Sequence, residues 1–357
     1  MRSRLWTAYA ICGILAAGCS GGVGVTPPAG GSIPLAPSGV AAPPAYAFAP
    51  YVDVTSYPKF QLATYSRTTR NAYFTLAFMQ AYRGNQCEAA WGGTALPGSG
   101  SSSSSSAAYV AQQLAAIRAL GGDGILSFGG AAGTDLADVC LDAQSLANAI
   151  EAAIDAYQFT AVDYDIEGNQ PYDAASVALR SQALALVEQH YAGLGTTIAL
   201  SYTLPVLPTG LPPQVLGVVK SALNAGVHLS IVNVMTMDYG NGAAPHPKGR
   251  MGAYAIRAAQ ATLAQLKAIG FPLGSNGYAS IGITPMIGQN DTRSEIFEPS
   301  DARKLVSWAR SNGVGRLSFW AAQRDKACPG GVKRQASDTC SGIKQKPFAF
   351  GKIFTRL

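Results

Sequence analysis

The sequence predicts an α/β fold, a single (β/α)8 TIM barrel, and three observations predict it. Short apolar runs recur eight times after residue 45. Stretches with helical spacing of apolar residues lie between most of them. One run, Phe159 to Glu167, carries three acids and ends on the last of them, and a barrel of this kind keeps its chemistry at the C-terminal ends of its strands. A doubly wound sheet is the rival arrangement, but eight strand-like runs alternating with helices suit the barrel better.

Taken in order, residues 1–19 read as an export signal. Arg2 and Arg4 form a basic start, and Ala8 to Ala17 form an apolar stretch too short for a membrane-spanning helix. The end, Leu15 to Cys19, reads LAAGC and is similar to a bacterial lipobox, which would put lipid on Cys19 and tether the chain to a membrane. Ordinary cleavage is the alternative. Residues 20–44 are Gly, Pro, Ala and Ser with almost no charge, the composition of a linker. The folded part is then 45–357. Location is expected to be secreted, or on the surface or outer membrane of a bacterium as a lipoprotein. If Cys12 leaves with the leader and Cys19 takes lipid, Cys87, Cys140, Cys328 and Cys340 remain, an even number for an oxidising compartment. Cys328 with Cys340 closes a short loop, and Cys87 with Cys140 is a plausible second bridge.

Composition narrows the function. Charged residues are 13% of the chain, well below the roughly 25% of ordinary soluble domains. Net charge is +6, falling to about +4 without Arg2 and Arg4, and it is scattered with no Lys/Arg block. A nucleic-acid partner is not expected. The three histidines, His190, His228 and His246, have no metal-ligand spacing, so neither metal nor cofactor is expected. A monomer is expected.

The strand-like runs are 46–53, 72–79, 124–130, 159–167, 197–205, 229–239, 279–288 and 316–325. Helical stretches fall at 108–120, 143–157, 173–190, 211–225, 251–269 and 300–312. In the second of these, Leu146, Ile150, Ala153, Ile154 and Tyr157 share one stripe. Gly121, Gly226, Gly270 and Gly313 follow four of them as stop signals. Residues 80–107 read as a long surface loop at the barrel mouth, holding Trp91 and six serines at 101–106. Trp91 suits sugar stacking or loop packing equally. The tail from Ile343 to Leu357 is expected to fold back over the barrel rim.

The acid run reads FTAVDYDIEG. Its Phe, Val, Tyr and Ile residues favour a buried strand. Alternation then puts Asp163, Asp165 and Glu167 on one face, with roughly 13 Å between the outer two Cα atoms. Buried like charges repel, so at least one carboxyl holds its proton above the ordinary range, as a general acid must. An exposed edge strand facing water is the alternative, which the apolar opposite face argues against.

This core, DYDIE, resembles the DxDxE motif of the family 18 glycoside hydrolases, the chitinase family. Ser127, Gly129 and Gly130 are similar to its SxGG signature, Met235 to Tyr239 to its MxYD-type segment, and Trp320 to its sugar-floor tryptophan. The four signatures fall in order on the third, fourth, sixth and eighth runs. The resemblance implies a retaining hydrolase of β-1,4-linked N-acetylglucosamine polymers or oligomers, in which the sugar's own 2-acetamido oxygen is the nucleophile. Glu167 would be general acid and base, Asp165 would hold the acetamide N–H, and Asp163 would lie deeper, held by Ser127. Asp238 would bind the acetamide or tune Glu167, and Trp320 would stack under the ring.

The sequence departs from the family pattern at Thr160, where an Asp is usual, and at Met237, where a Tyr is usual. Tyr239 is expected on the same face as a substitute hydroxyl. Gln289 and Asn290 are sugar-binding candidates or turn residues; Tyr51 and Tyr202 are weaker ones. The same acidic core also fits an endo-β-N-acetylglucosaminidase. A chitin-binding lectin usually lacks the Glu that is present here as Glu167. A barrel that uses the three acids to bind a cation is a further alternative, but the nearby Gln and Asn oxygens are not in calcium-loop spacing.

Overall fold

The computed structural model describes residues 47–98, 105–274 and 276–357. The leader, the linker, Cys19 and the serines at 101–104 lie outside them.

The elements in chain order are β1 (Ala47–Phe48), β2 (Tyr51–Asp53), α1 (Leu62–Thr69), β3 (Tyr73–Tyr82), β4 (Gln86–Trp91), α2 (Ser106–Arg118), β5 (Asp123–Gly129), α3 (Ala143–Tyr157), β6 (Ala161–Asp165), α4 (Ala174–Gly193) and β7 (Ala199–Pro205). They continue with α5 (Pro213–Asn224), β8 (Leu229–Met235), α6 (Gly240–Ala243), α7 (Met251–Ala268), β9 (Ile281–Thr284), β10 (Gly288–Gln289), β11 (Ile296–Phe297), α8 (Pro299–Asn312), β12 (Arg316–Leu317) and α9 (Ala349–Phe354). The fold is mixed α/β. Its main sheet runs in the order β1-β12-β9-β8-β7-β6-β5-β3-β2 and is parallel along that path. β1 and β2 are one extended run, interrupted at Ala49-Pro50. Its first half pairs with β12 and its second with β3, so the sheet curls until one run serves both ends.

Every strand-like run expected from the sequence contains a strand, and all six expected helices form. α3 buries Leu146, Ile150, Ala153, Ile154 and Tyr157, the stripe expected of it, and starts with a capping box between Asp142 and Ser145. Each large aliphatic side chain on that stripe contributes about 1.5–3 kcal/mol by leaving water. α8 ends on Gly313 at φ 64°, which a glycine adopts without strain.

The stretch 80–107 departs from the expected loop. β3 continues to Tyr82, and β4 returns antiparallel along it. QCEAAW carries few strand-favouring residues, so pairing with β3, not propensity, makes it a strand. Trp91 is fully buried, and its indole N–H donates to Tyr157 Oη at 3.0 Å. It packs and does not meet a sugar. Disulfides join Cys87 to Cys140 and Cys328 to Cys340. The tail forms α9, whose Phe350 and Phe354 pack on Phe319, with Phe354 also against Phe48. Asp325 anchors it by accepting from the Phe350 and Gly351 N–H groups.

Candidate active site

β6 is strongly apolar on its outer face and acidic on its inner one. Val162 and Tyr164 are buried among core residues, while Asp163 and Asp165 point the other way. The strand ends at Asp165. The Ile166 N–H still donates to Thr203 O at 2.9 Å, which carries Glu167 just beyond the strand's C-terminal end.

Asp163 is 1% exposed and sits in a cradle of hydroxyls. Tyr51 Oη and Ser127 Oγ each donate to its Oδ2 at 2.8 Å. Ser201 Oγ and Thr203 Oγ1 each donate to its Oδ1 at 2.8 Å. Asn233 Nδ2 donates to Thr203 Oγ1 at 2.8 Å, and Arg316 Nη1 donates to Ser201 Oγ at 2.8 Å. Asp165 is also buried, yet its Oδ1 has no hydrogen-bond partner among the described residues. Burial pushes its carboxyl well above the ordinary range, and the negative charges of Glu167 and Asp163 push it further. Burial raises Glu167 to about 7, opposed by a hydrogen bond from the Ala131 backbone N–H.

The turn supplying Ala131 has no room for side chains. Gly129 has φ 88°, and a Cβ there would lie 2.0 Å from the Asp165 carbonyl oxygen. At Gly130 a Cβ would meet the Phe78 ring at 2.6 Å. Gly129 therefore lets the end of β5 pass close to the acid-bearing strand, and Gly130 lets the turn pass close to the Phe78 ring of β3. Above the acids opens a cleft of about 850 Å³, lined by Asp165, Glu167, Tyr51, Gln80, Trp320, Asp238 and Asp291 among others. One wall is apolar, from Pro205, Val206, Leu207, Met235, Met237 and Met286. Trp320 is half-buried and stacks on Phe78 at 5.7 Å with 12° between the rings, leaving an aromatic surface toward the cleft.

No family model matches the chain. Over 324 residues it is 35% identical to a probable bifunctional chitinase/lysozyme of Escherichia coli (strain K12), a match covering 87% of this chain and 34% of that protein. A second curated relative is matched over 53% of its length, so the chain spans a third to a half of these relatives. The fold is similar to that of the catalytic domain of a hyperthermophilic chitinase from Pyrococcus furiosus, at 30% identity and a TM-score of 0.76, over 88% of this chain and 95% of that one. A family GH18 chitinase catalytic domain from the fern Peteris ryukyuensis shares the fold at 14% identity and a TM-score of 0.57, over 87% and 98%. The chain belongs to the family 18 glycoside hydrolases.

In this family 18 chain the remaining residues singled out in the sequence divide into two groups. Met235, Met237, Asp238 and Trp320 line the cleft, and Ser127 lies beneath it on Asp163. Tyr239 does not line it. Its ring is buried, 6.1 Å from Tyr254, and its N–H donates to Glu295. β8 ends at Met235, and Asp238 takes a left-handed φ of 50°, so two-residue alternation no longer governs Tyr239. Gln289 is likewise a turn residue: its amide donates to the carbonyls of Asn290, Arg293 and Glu295. Asn290 donates to those of Met286 and Gly288. Tyr202 faces away from the cleft, beside its register partner Tyr164. Asp238 accepts the Thr292 N–H at 2.6 Å. Among the described residues no cluster of three His, Cys, Asp or Glu is placed to hold a metal ion.

Sequence reasoning missed Ser201, Thr203, Asn233 and Arg316. Ser201 and Thr203 were findable, since they alternate with Leu200, Tyr202 and Leu204 and so share the inner face.

Proposed function

We propose that the chain hydrolyses β-1,4-linked N-acetylglucosamine polymers or oligomers with retention, the acetamido oxygen of the substrate acting as nucleophile. The observation that carries this is the pairing of Glu167 with Asp165. A carboxyl raised to about 7 at the cleft is protonated at neutral pH in a useful fraction of molecules and can protonate a leaving oxygen. Beside it, the buried and unpartnered Asp165 Oδ1 is an acceptor that an acetamide N–H would satisfy. Holding that N–H aims the acetamide carbonyl at the anomeric carbon and stabilises the positive charge that develops on the ring it forms. Once the leaving group has gone, the Glu167 carboxylate takes a proton from water as the water oxygen bonds to the anomeric carbon. The bond between that carbon and the acetamido oxygen breaks, which opens the oxazolinium ring and restores the acid. Trp320, stacked on Phe78, offers the apolar floor for the sugar. The chitinase names of the relatives support the substrate class.

The same reading takes the curled sheet as a closed (β/α)8 barrel, supported by the shared run 47–53. It takes residues 1–19 as an export leader and 20–44 as a linker, with Cys19 a lipid site. Two disulfides support an oxidising compartment. A monomer acting on soluble or accessible chains completes it.

The test is hydrolysis of an N-acetylglucosamine hexamer by the wild-type chain beside Glu167→Gln. Cleavage reduced at least 10²-fold in the variant is expected. Tight binding by both proteins with cleavage by neither would favour a lectin.

A further inference from the structure

Beneath the acid row lies a cation that the mechanism above does not use. Arg316 opens β12 and is 6% exposed. Its Nη1 reaches Ser201 Oγ, and Ser201 Oγ reaches Asp163 Oδ1, each at 2.8 Å. Two such hydrogen bonds end to end put the guanidinium within about 6 Å of the carboxylate. Burial lowers the proton affinity of Arg316, while the charge of Asp163 opposes this most strongly. A buried guanidinium is costly unless a negative charge answers it, so its place at Asp163 calls for a reason.

The groups facing Asp163 can be named element by element. β2 supplies Tyr51, β5 supplies Ser127, and β7 supplies Ser201 and Thr203. β6 and its exit supply Asp165 and Glu167, whose charges act on one another. β12 supplies Arg316 through Ser201. Of these groups Arg316 alone is cationic.

The geometry points to Arg316 as a positioning residue: through Ser201 it fixes the orientation of Asp163 and sets a positive charge under the whole acid row, which makes the row harder to protonate. The row's proton then stays at its cleft end, with Asp165 and Glu167, where leaving-group protonation needs it. The kinetic part of this inference rests on the proposed hydrolysis; the electrostatic part does not.

The experiment has two arms. In the first, the full chain labelled with ¹³C at Asp and Glu carboxyls is titrated by NMR as wild type, Arg316→Met, Arg316→Lys and Ser201→Ala, with no substrate present. The row's midpoints are expected to rise by roughly 1–2 pH units in Arg316→Met. They should stay near wild type in Arg316→Lys and rise by a smaller amount in Ser201→Ala. In the second arm, both limbs of the kcat/KM profile on the hexamer should move to higher pH in Arg316→Met, with kcat reduced more than KM is changed. Midpoints in Arg316→Met equal to wild type would overturn the inference and leave Arg316 a structural residue. If Arg316→Met does not fold, Ser201→Ala decides, and unchanged midpoints there overturn it. A wild-type chain without hydrolysis would end the proposed function, while the titration would still decide the role of Arg316.

Discussion

Arg180 and Asp135 meet at 3.3 Å with both side chains shut away from solvent. Arg180 comes from α4 and lies over the Tyr164 ring at 4.9 Å, and Tyr164 Oη donates to Asp135 Oδ1 at 3.0 Å. Asp135 also accepts the Ala137 N–H at 2.7 Å. The pair thus ties α4 to the loop after β5, the loop whose Ala131 N–H reaches Glu167. Asp135→Ala leaves a buried guanidinium unanswered and is expected to cost about 3–5 kcal/mol, read as a lowered urea midpoint. A variant as stable as wild type would show that the pair does not organise this loop.

Gly129 and Gly168 separate close packing from backbone strain. Gly129→Ala puts a Cβ 2.0 Å from the Asp165 carbonyl oxygen, whereas Gly168 at φ 61° has nothing within 4 Å. Gly168→Ala is expected to cost about 1–2 kcal/mol for its left-handed φ alone. Gly129→Ala is expected to exceed about 4 kcal/mol or prevent folding. Thermal unfolding of the two variants checks the order.

The raised Glu167 makes a prediction about stability as well as rate. Its value rises from 4.5 to about 7 on folding, so the stability tied to its protonated form is present below 4.5 and is lost as pH climbs through about 7. Glu167→Gln removes that loss. The variant is expected to match wild type near pH 4 and to be more stable by about 1–3 kcal/mol at pH 8. Hydrolysis by wild type is expected to fall above about pH 7, as the acid form disappears. Urea midpoints at the two pH values and a pH–rate profile are the measurements.

The two disulfides are not equivalent. Cys87–Cys140 closes a loop of 53 residues and Cys328–Cys340 one of 12. Loop-closure entropy then favours the first, with about 4 against about 3 kcal/mol. Cys87→Ala with Cys140→Ala is expected to lower the melting temperature more than the paired change at Cys328 and Cys340, as calorimetry would show.

Sequence reading reached furthest where a period governs. The alternation in DYDIE places Asp163 and Asp165 on the inner face because β6 is a regular strand. It failed at Tyr239 because β8 stops at Met235 and the chain turns before reaching it. It left Gln289 open between a sugar contact and a turn, and the turn is found because a small β10–β11 hairpin offers carbonyls that capture the amide. The loop assigned to 80–107 hid β4, whose strand form depends on pairing with distant β3 residues. Arg316 gave no local sign, since one Arg at the start of an apolar run reads as solvent-facing. Its role comes from Ser201, more than a hundred residues earlier in the chain. Tertiary pairing, invisible in a local window, decided each of these.

The central claim is that the substrate's own acetamide attacks while Asp165 holds it and Glu167 supplies the proton. The most direct test is rapid NMR of the first product anomer released from an N-acetylglucosamine oligomer. The account predicts the β-anomer first, with mutarotation following. The α-anomer first would mean direct attack by water, and the acetamide-assisted mechanism would be wrong for this chain.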